Sequence, residues 1–580
     1  MINSNNENAY KNRYGISLEK IWNRLDAGIK HDAVKSVEAY LSGGFKVDSE
    51  YDREALLRIL IGYRGIASLE QAAADSLPAL KVIVWEPDCA LFLAWCMNED
   101  ISVYINDDKY TILFGHNDMD ILGRAIDDNL FDHNVNHIAV ASASDSLNNN
   151  REYIDEFRQI LTEKVKERIV DSNNRKEFSS LPYENYLYAI HAMPNNSTID
   201  QLLEKISARD IPIIIVSAGP SLNKNCNELK NVKGRAIIIA ITHSMKTLYD
   251  AGIMPDLVAV IDPQDMGFMD FDENRSYTLL CDAYASRADQ VRYNGNIIYF
   301  GFTAYEGLFT TERIRGGVNP EMGTGSVSSD VFSLFVEAGF KKFIFVGHDL
   351  AYDENGHTHA DNFYEKGICE KAGLYEETEG IYGGTVRTRF DWDWFRKYYE
   401  KRIASLTDVQ VIDATEGGAL IKGTRVMTLK DAISEFCDIE YPISKWFEGL
   451  KKGSPKEKEE IRKWFEDMIG KCFKVSDIIN EAVTINETIS IALNDPGLWN
   501  DDISALCKRY DVLYRIIFEG SDGELLRLYC KPEIQHYLED AMTVEGDENI
   551  GKRMIYELNI FKQLRKKAKE LIGYMKSLNT

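Results

Sequence analysis

The chain has 580 residues, 27% of them charged, and a formal net charge of −25. That length exceeds one hydrophobic core, so several domains are expected, and the acidic balance excludes non-specific nucleic-acid binding, which needs a basic surface. Nine scattered cysteines show no CxxC pair and no metal-ligand spacing, which points to reduced thiols in a cytoplasmic protein rather than a disulfide framework.

The N-terminal stretch MINSNNENAYKNRYG is polar and lacks the apolar core of a signal peptide. No window approaches the ~18 uninterrupted apolar residues of a membrane span, so no stable membrane insertion is expected. Residues 1 to about 45 carry Leu18, Ile21, Trp22 and Leu25 at helical spacing. From there to about 195 the texture is mixed. KVIVWEP (81–87), SVYIND (102–107), YTILFG (110–115) and HIAVASAS (137–144) predict strands. Glu86 ends one of them, where an acidic residue can hold a ribose. No glycine-rich loop stands at the right distance before it, so this part reads as a Rossmann-like domain without a working dinucleotide site. Residues 151–170 and 198–208 predict helices that lead into the centre.

The central part opens with IPIIIVSAGPSL (211–222). Its branched-aliphatic run predicts a strand buried on both faces, as in a parallel sheet. The small residues after it allow a tight turn and close approach of a ligand. Ser221 can cap the next helix, where amides attract an anion. Further strands are predicted at 235–241, 257–262, in YTLLCDAY (277–284), in NIIYFGF (296–302), at 342–349 and, last, at 409–420. Helices alternate with them, and residues 326–338 predict one that Gly339 closes. This alternation predicts a doubly wound parallel sheet with ligands at the carboxyl ends of its strands. After about residue 429 the apolar spacing is helical, and the basic tail reads as the solvated face of a helix. The expected fold class is therefore α/β. A mixed N-terminal α/β domain (1–195) precedes a central Rossmann-like domain (196–430) and a helical C-terminal domain (431–580).

Polar residues stand where the central strands end: Thr242 and His243, Asp262 and Gln264, Asp282, and Asp349. In a parallel sheet those ends converge on one edge. MGTGSVSSDVF (322–332) places Thr324, Gly325 and Ser326 before a helix, a second possible anion cradle. GHDLAYDENGHTHAD (347–361) places Gly347, Asp349, Tyr352, His357 and His359 in one segment after a buried strand. Two histidines at i and i+2 could ligate a metal, but no third ligand has suitable spacing, so no metal is expected. A histidine here suits general-base work, because its unperturbed pKa lies near operating pH.

Five ordered pieces, IIVSAGPSL, MPDLVAVIDPQ, MGTGSVSSDVF, FVGHDLAYDENGHTHA and IDATEGGALIKGT, span some 200 residues. Together they resemble the central domain of motility accessory factor (Maf) glycosyltransferases. That domain is similar to hydroxymethylpterin pyrophosphokinase-like domains and, more distantly, to bacterial sialyltransferases. The resemblance implies transfer of a nonulosonic acid, of pseudaminic or legionaminic type, from a CMP-activated donor to serine or threonine hydroxyls of flagellin, without a further cofactor. It implies that Ser217, Gly219, Pro220, Ser221, Thr324, Gly325 and Ser326 hold the nucleotide. Thr242 and Asp262 stand where such enzymes place polar groups around the cytidine and ribose, and Asp282, Gly347 and Asp349 at neighbouring strand ends are counted with the nucleotide-binding set. Tyr352 would meet the departing phosphate and His359 would be the base, with His357 as its substitute. Two other readings stay open. One is an ATP- and Mg²⁺-dependent pterin-type pyrophosphokinase, in which Asp262, Asp282 and Asp349 would cluster on a metal. The other is a flagellin-binding export factor or scaffold.

Overall fold

The computed structural model describes residues 2–43, 55–74, 80–115, 119–131, 134–143, 150–178, 180–270, 276–302, 326–360, 376–450, 452–534, 537 and 550–579. It divides into two units. One comprises Met1–Ser179, Ile478–Ile517 and Cys530–Lys566, and the other Ser180–Asp477, Phe518–Tyr529 and Lys567–Thr580. The helical C-terminal residues are thus shared between both units, a different cut from the three consecutive domains expected from sequence texture.

The first unit holds a four-stranded parallel sheet of β1 (Leu57–Ile61), β2 (Lys81–Glu86), β3 (Tyr110–Phe114) and β4 (Ile138–Ser142), in the order β3-β2-β1-β4. One face packs on Phe92, Leu93, Trp95 and Cys96 of the helix Cys89–Asn98. Residues of the other face, Ile59, Ile61 and Trp85, pack against Phe157 and Ile154. SVYIND is not a strand: Ser102–Ile105 is a single helical turn. Its β-branched residues favour a strand locally, but Ile105 is drawn into the core beneath Tyr110 and Ile112.

The second unit is built on nine parallel strands. In chain order they are β5 (Ser197–Thr198), β6 (Ile213–Val216), β7 (Ile237–Ile241), β8 (Leu257–Val260), β9 (Thr278–Asp282), β10 (Ile297–Phe300) and β11 (Lys342–Val346). A two-stranded antiparallel hairpin, β12 (Glu376–Glu379) with β13 (Thr385–Thr388), comes before β14 (Gln410–Asp413) and β15 (Arg425–Val426). The spatial order is β15-β14-β11-β6-β7-β8-β9-β10-β5. The chain therefore steps outward from β6 to β10, then returns to lay β11 and β14 on the other side of β6. The order reverses between β6 and β11, which pair Ile213 with Phe343 and Val216 with Val346. At such a reversal the loops leaving the two strands diverge and open a crevice.

Alternate residues of the central strands (Ile213 and Ile215, Ile237 and Ile239, Phe343 and Phe345) point into one core with Val331, Leu334 and Phe335 of the helix Val327–Glu337. β6 is buried throughout, so its continuous aliphatic run reflects apolar contact on both faces. The sequence reading ended the sheet at β14; β15 and β5 add two-residue edges that are too short to leave a pattern.

The basic tail forms the helix Ile550–Leu578, whose Phe561, Leu564, Ala568, Leu571 and Met575 are buried. Its lysines and arginines are the outer face of a packed amphipathic helix. Among the described residues no helix is long and apolar enough to cross a membrane.

Because Ile215 is fully buried in the middle of the sheet, Ile215→Ala should destabilise the second unit by about 2–5 kcal/mol. Ile491→Ala, at a side chain 62% exposed, should change stability by less than about 0.5 kcal/mol. Urea unfolding read from both variants checks this, and equal losses would refute the placement of β6.

Candidate active site

The crevice at the β6–β11 reversal is a cleft of about 470 Å³. Its floor is Ser217, Ala218 and Gly219 after β6, and Gly347, His348 and Asp349 after β11. Its walls include His243, Asp262, Ser326, His359, Arg389 and Trp392.

The two floor loops are tied together. Ser217 and Gly219 donate their amides to the carbonyls of Val346 and Gly347, at 2.8 and 2.9 Å. Ser221 donates its hydroxyl to Asp349 at 2.7 Å and its amide to the same carboxylate at 3.2 Å. The anion that the SAGPS turn attracts is therefore the protein's own. Ser221 was expected to cap the next helix, but it makes no side-chain cap and gives its hydroxyl to Asp349 instead. The helix that follows is one turn, Leu222–Asn225, continued as a 3₁₀ segment, so it supplies no extended dipole. Gly219 has to be glycine, because a Cβ there would lie 2.0 Å from the Asp349 carboxylate. Burial pushes Asp349 up to about 6, against the lowering effect of its bonds to Ser221.

His348 lies between two residues the sequence reading singled out, and that reading passed over it. The side chain is buried, stacked on Phe345 at 4.5 Å between ring centroids and met edge-on by Tyr399. Its Nε2 lies 3.3 Å from Ser217 Oγ and its Nδ1 3.3 Å from the carbonyl of Val346. Burial holds it at about 3, so the ring is neutral.

His359 lines the cleft, with Nδ1 2.9 Å from Thr358 Oγ1. Its ring meets His243 at 5.8 Å in an edge-to-face contact. Both imidazoles are held down at about 4, His243 by burial and His359 by burial together with the His243 and Arg389 charges. Both are neutral at physiological pH with a lone pair to offer, though a value near 4 makes each a weaker base than the ordinary imidazole expected from the sequence. The segment is anchored by the Ala360 amide, which donates to the Ala218 carbonyl at 2.9 Å. His357 points elsewhere: it is exposed and paired with Asp353 at 2.8 Å.

Arg389 and Trp392 were not legible in the sequence. The hairpin β12–β13 delivers them. Tyr352 donates its amide to the Arg387 carbonyl, and Thr388 donates its hydroxyl to the carbonyl of Leu350. Leu350 sits at φ +45°, a costly conformation for leucine that the Thr388 bond helps to hold. The chain then turns into the helix Phe390–Ala404. Arg389 lies over the Trp392 ring at 4.1 Å and pairs with Asp391 at 2.7 Å. The only sequence signal was the aromatic and charged run RFDWDWFRKYY, some thirty residues beyond the histidines.

The remaining sequence-predicted residues divide. Asp262 and Ser326 line the cleft with Ser217, Gly219, Gly347 and Asp349. Ser326 also precedes the first turn of the helix Val327–Glu337, a turn that carries amides without intrahelical acceptors. Tyr352 packs on Trp392, ring centroids 5.0 Å apart, and supports that wall rather than facing the cleft. Thr242 is buried in the 3₁₀ turn after β7, and Pro220 lies partly exposed beyond the floor. Asp282 is buried behind the end of β9, where it accepts the Tyr284 amide at 2.8 Å. Gly301 gives it room, since a Cβ there would lie 2.3 Å from the carboxylate. Thr324 and Gly325 lie outside the described residues. Glu86 forms a buried ion pair with Arg64 at 2.7 Å and accepts the Tyr63 and Asp88 amides. It is therefore committed within its own sheet.

A family model described as 6-hydroxymethylpterin diphosphokinase MptE-like matches residues 184–355. No curated protein matches the chain in sequence. A solved structure, the MAf glycosyltransferase from Magnetospirillum magneticum AMB-1, matches with a TM-score of 0.55 at 12% identity. The match covers 96% of this chain and 85% of that one. The chain is thus Maf-like in its fold and MptE-like over much of its centre, as the five-piece resemblance implies.

Burial pushes the Asp282 carboxyl up to about 7, the Tyr284 amide opposing it; an unfolded aspartate titrates near ~3.9. Between those values the folded state keeps a proton that the unfolded chain releases. Stability from this group is full below pH ~4 and is lost as pH rises through about 7. Asp413, also at about 7 through burial, acts with the same sign. Asp282→Asn should therefore flatten the decline of unfolding midpoint between pH ~5 and ~8, measured by urea titration. An unchanged slope would refute the assignment.

Proposed function

We propose that the protein is a metal-independent glycosyltransferase that moves a nonulosonic acid from a CMP-activated donor to a serine or threonine hydroxyl of flagellin. The observation that carries this reading is the pairing, in one switch-point cleft, of a neutral imidazole with a guanidinium. His359 can take a proton and Arg389 can meet an anion. A fold shared over nearly the whole chain with a glycosyltransferase and the motif resemblance supply the substrate class.

The transfer needs two things from the protein. The bond from the sugar's anomeric carbon to the CMP phosphate oxygen breaks through an oxocarbenium-like state, so negative charge grows on the phosphate. Arg389 and the first-turn amides after Ser326 are the groups suited to stabilise it. The acceptor hydroxyl forms the new bond to the anomeric carbon and gives its proton to His359, which passes it to solvent. Trp392 places its ring beneath the Arg389 guanidinium, 4.1 Å from the centroid, which limits the guanidinium's hydration on that side and strengthens its pull on an anion.

The MptE-like match favours one other reading, a diphosphokinase. That chemistry uses carboxylates gathered on Mg²⁺. Here Asp349 is bonded to Ser221 and Asp282 is buried behind its strand, so two of the three carboxylates of that hypothesis are already engaged within the protein. Titration calorimetry with CMP, ATP–Mg²⁺ and flagellin separates these readings from a flagellin-binding scaffold. Tight ATP–Mg²⁺ binding without a response to CMP would favour the kinase, and binding of flagellin alone the scaffold.

His359→Ala should lower turnover by about 10²- to 10⁴-fold while leaving CMP affinity nearly unchanged, because the proton moves only at the chemical step. His357→Ala should behave as the parent does, since that ring is paired with Asp353 outside the cleft. Turnover should persist in EDTA. The assay is transfer to purified flagellin followed by intact mass, and normal turnover by His359→Ala would remove the base from the mechanism.

A further inference from the structure

The floor of the cleft contains a hydrogen-bond chain that fixes the direction of one hydroxyl. It begins at the Val346 carbonyl, which can only accept. His348 Nδ1, 3.3 Å away, must therefore carry the hydrogen. With the ring neutral, Nε2 is left with a lone pair, and the Ser217 hydroxyl at 3.3 Å must donate to it. The Ser217 proton is thus spent inside the protein. What the Ser217 oxygen can offer the cleft, which it lines, is lone pairs alone.

A serine hydroxyl on a histidine oriented by a third group is also the arrangement of a nucleophile with its base. The surroundings of His348 decide against that use. The ring is only 2% exposed, stacked on Phe345 and met by Tyr399, and none of those partners carries a charge to support an imidazolium. Enclosed in this way, His348 has no solvent to which it could pass a proton taken from Ser217, whereas as a neutral acceptor it can orient that hydroxyl indefinitely.

We propose that His348 is a positioning residue that makes Ser217 an acceptor-only group, so that Ser217 selects a ligand presenting a hydroxyl or amino donor. The inference rests on the reading of the cleft as a CMP-donor site. In that ligand a fully ionised phosphate has no donor to give, whereas the cytosine amino group and the ribose hydroxyls do. Ser217 then belongs to the nucleoside end of the site, and the phosphate belongs to the Arg389 side. This differs from a phosphate cradle on the SAGPS turn, where a serine would have to donate.

The test uses the full-length protein and calorimetric titration with CMP, cytidine, 2′-deoxy-CMP, 3′-deoxy-CMP and UMP. For the parent, at least one analogue that lacks a donor should bind about tenfold more weakly than CMP, the worth of one hydrogen bond. Ser217→Ala should weaken CMP and cytidine by the same factor and erase that one gap. His348→Phe, which keeps the ring stack, should relax the same gap because the Ser217 hydroxyl regains its freedom. A merely structural role would weaken all five ligands alike, and that result overturns the proposal. So does a loss in Ser217→Ala that appears with CMP but not with cytidine, since Ser217 would then meet the phosphate. If His348→Phe fails to fold, Ser217→Ala alone carries the decision. If the parent binds none of these nucleotides, the CMP reading itself falls and the inference with it; if it binds CMP and Ser217→Ala keeps every gap, only the inference falls.

Discussion

The Asp349 carboxylate holds the central site together. It receives two bonds from Ser221 across the line where the strand order reverses. Loops leaving a parallel sheet at such a point diverge, and here the backbone bonds of Ser217 and Gly219 carry the pairing only as far as Gly347. A buried acceptor bonded to a hydroxyl and an amide on the opposite loop supplies the restraint beyond it. The glycines around it show how closely the backbone is drawn in. A side chain at Gly219 would strike the carboxylate, and one at Gly347 would strike the Ser217 carbonyl. One at Gly418, which is at φ +79°, would strike the Asp349 backbone. Each is a place where any other residue would push the floor of the cleft apart.

Burial does a second job by setting protonation states. His243, His348 and His359 all stand well below the ordinary imidazole value, with desolvation as the leading cause each time. The cleft is thus lined by neutral rings. Beside them Arg389 stands over the Trp392 ring. Neutral rings can take protons, whereas the guanidinium offers only N–H donors. The two kinds of group are therefore not interchangeable, and the cleft keeps a place suited to a proton apart from a place suited to an anion.

Much of the central fold was legible because a strand covered on both faces leaves an uninterrupted aliphatic run. The runs at β6, β7, β8 and β11 are of that kind. The N-terminal turn Ser102–Ile105 misled for the converse reason: four residues are too few to show a period. At the site, the loops beside long strands were found and the hairpin contribution was not. Arg389 reaches the cleft through β12–β13, whose residues are largely exposed and carry no apolar pattern. His348 was missed because it stands between Gly347 and Asp349, both of which attract a reader looking for strand-end polar groups. Its own importance lies in a bond to Ser217, 131 residues earlier, and no local pattern encodes that pairing.

The N-terminal sheet shows why topology alone does not make a site. Its order also reverses, between β1 and β4, and the loop after β1 carries Gly62 and Gly65 at positive φ. That is the place where a Rossmann-like sheet would take a nucleotide. Here the loop is filled from within. Glu86 accepts the Tyr63 amide and the Arg64 guanidinium. Glu99 accepts the Ile66 amide at 2.7 Å and the Tyr63 hydroxyl at 3.2 Å. Two buried or half-buried carboxylates thus stand where a ligand's phosphates would. In the central sheet a single carboxylate does the corresponding work from beneath the floor, and Arg389, Ser326, His243 and His359 remain arrayed above it around open volume. The same fold principle yields a closed loop in one sheet and a cleft in the other, and the difference lies in how many of its own acceptors the chain places on the loop.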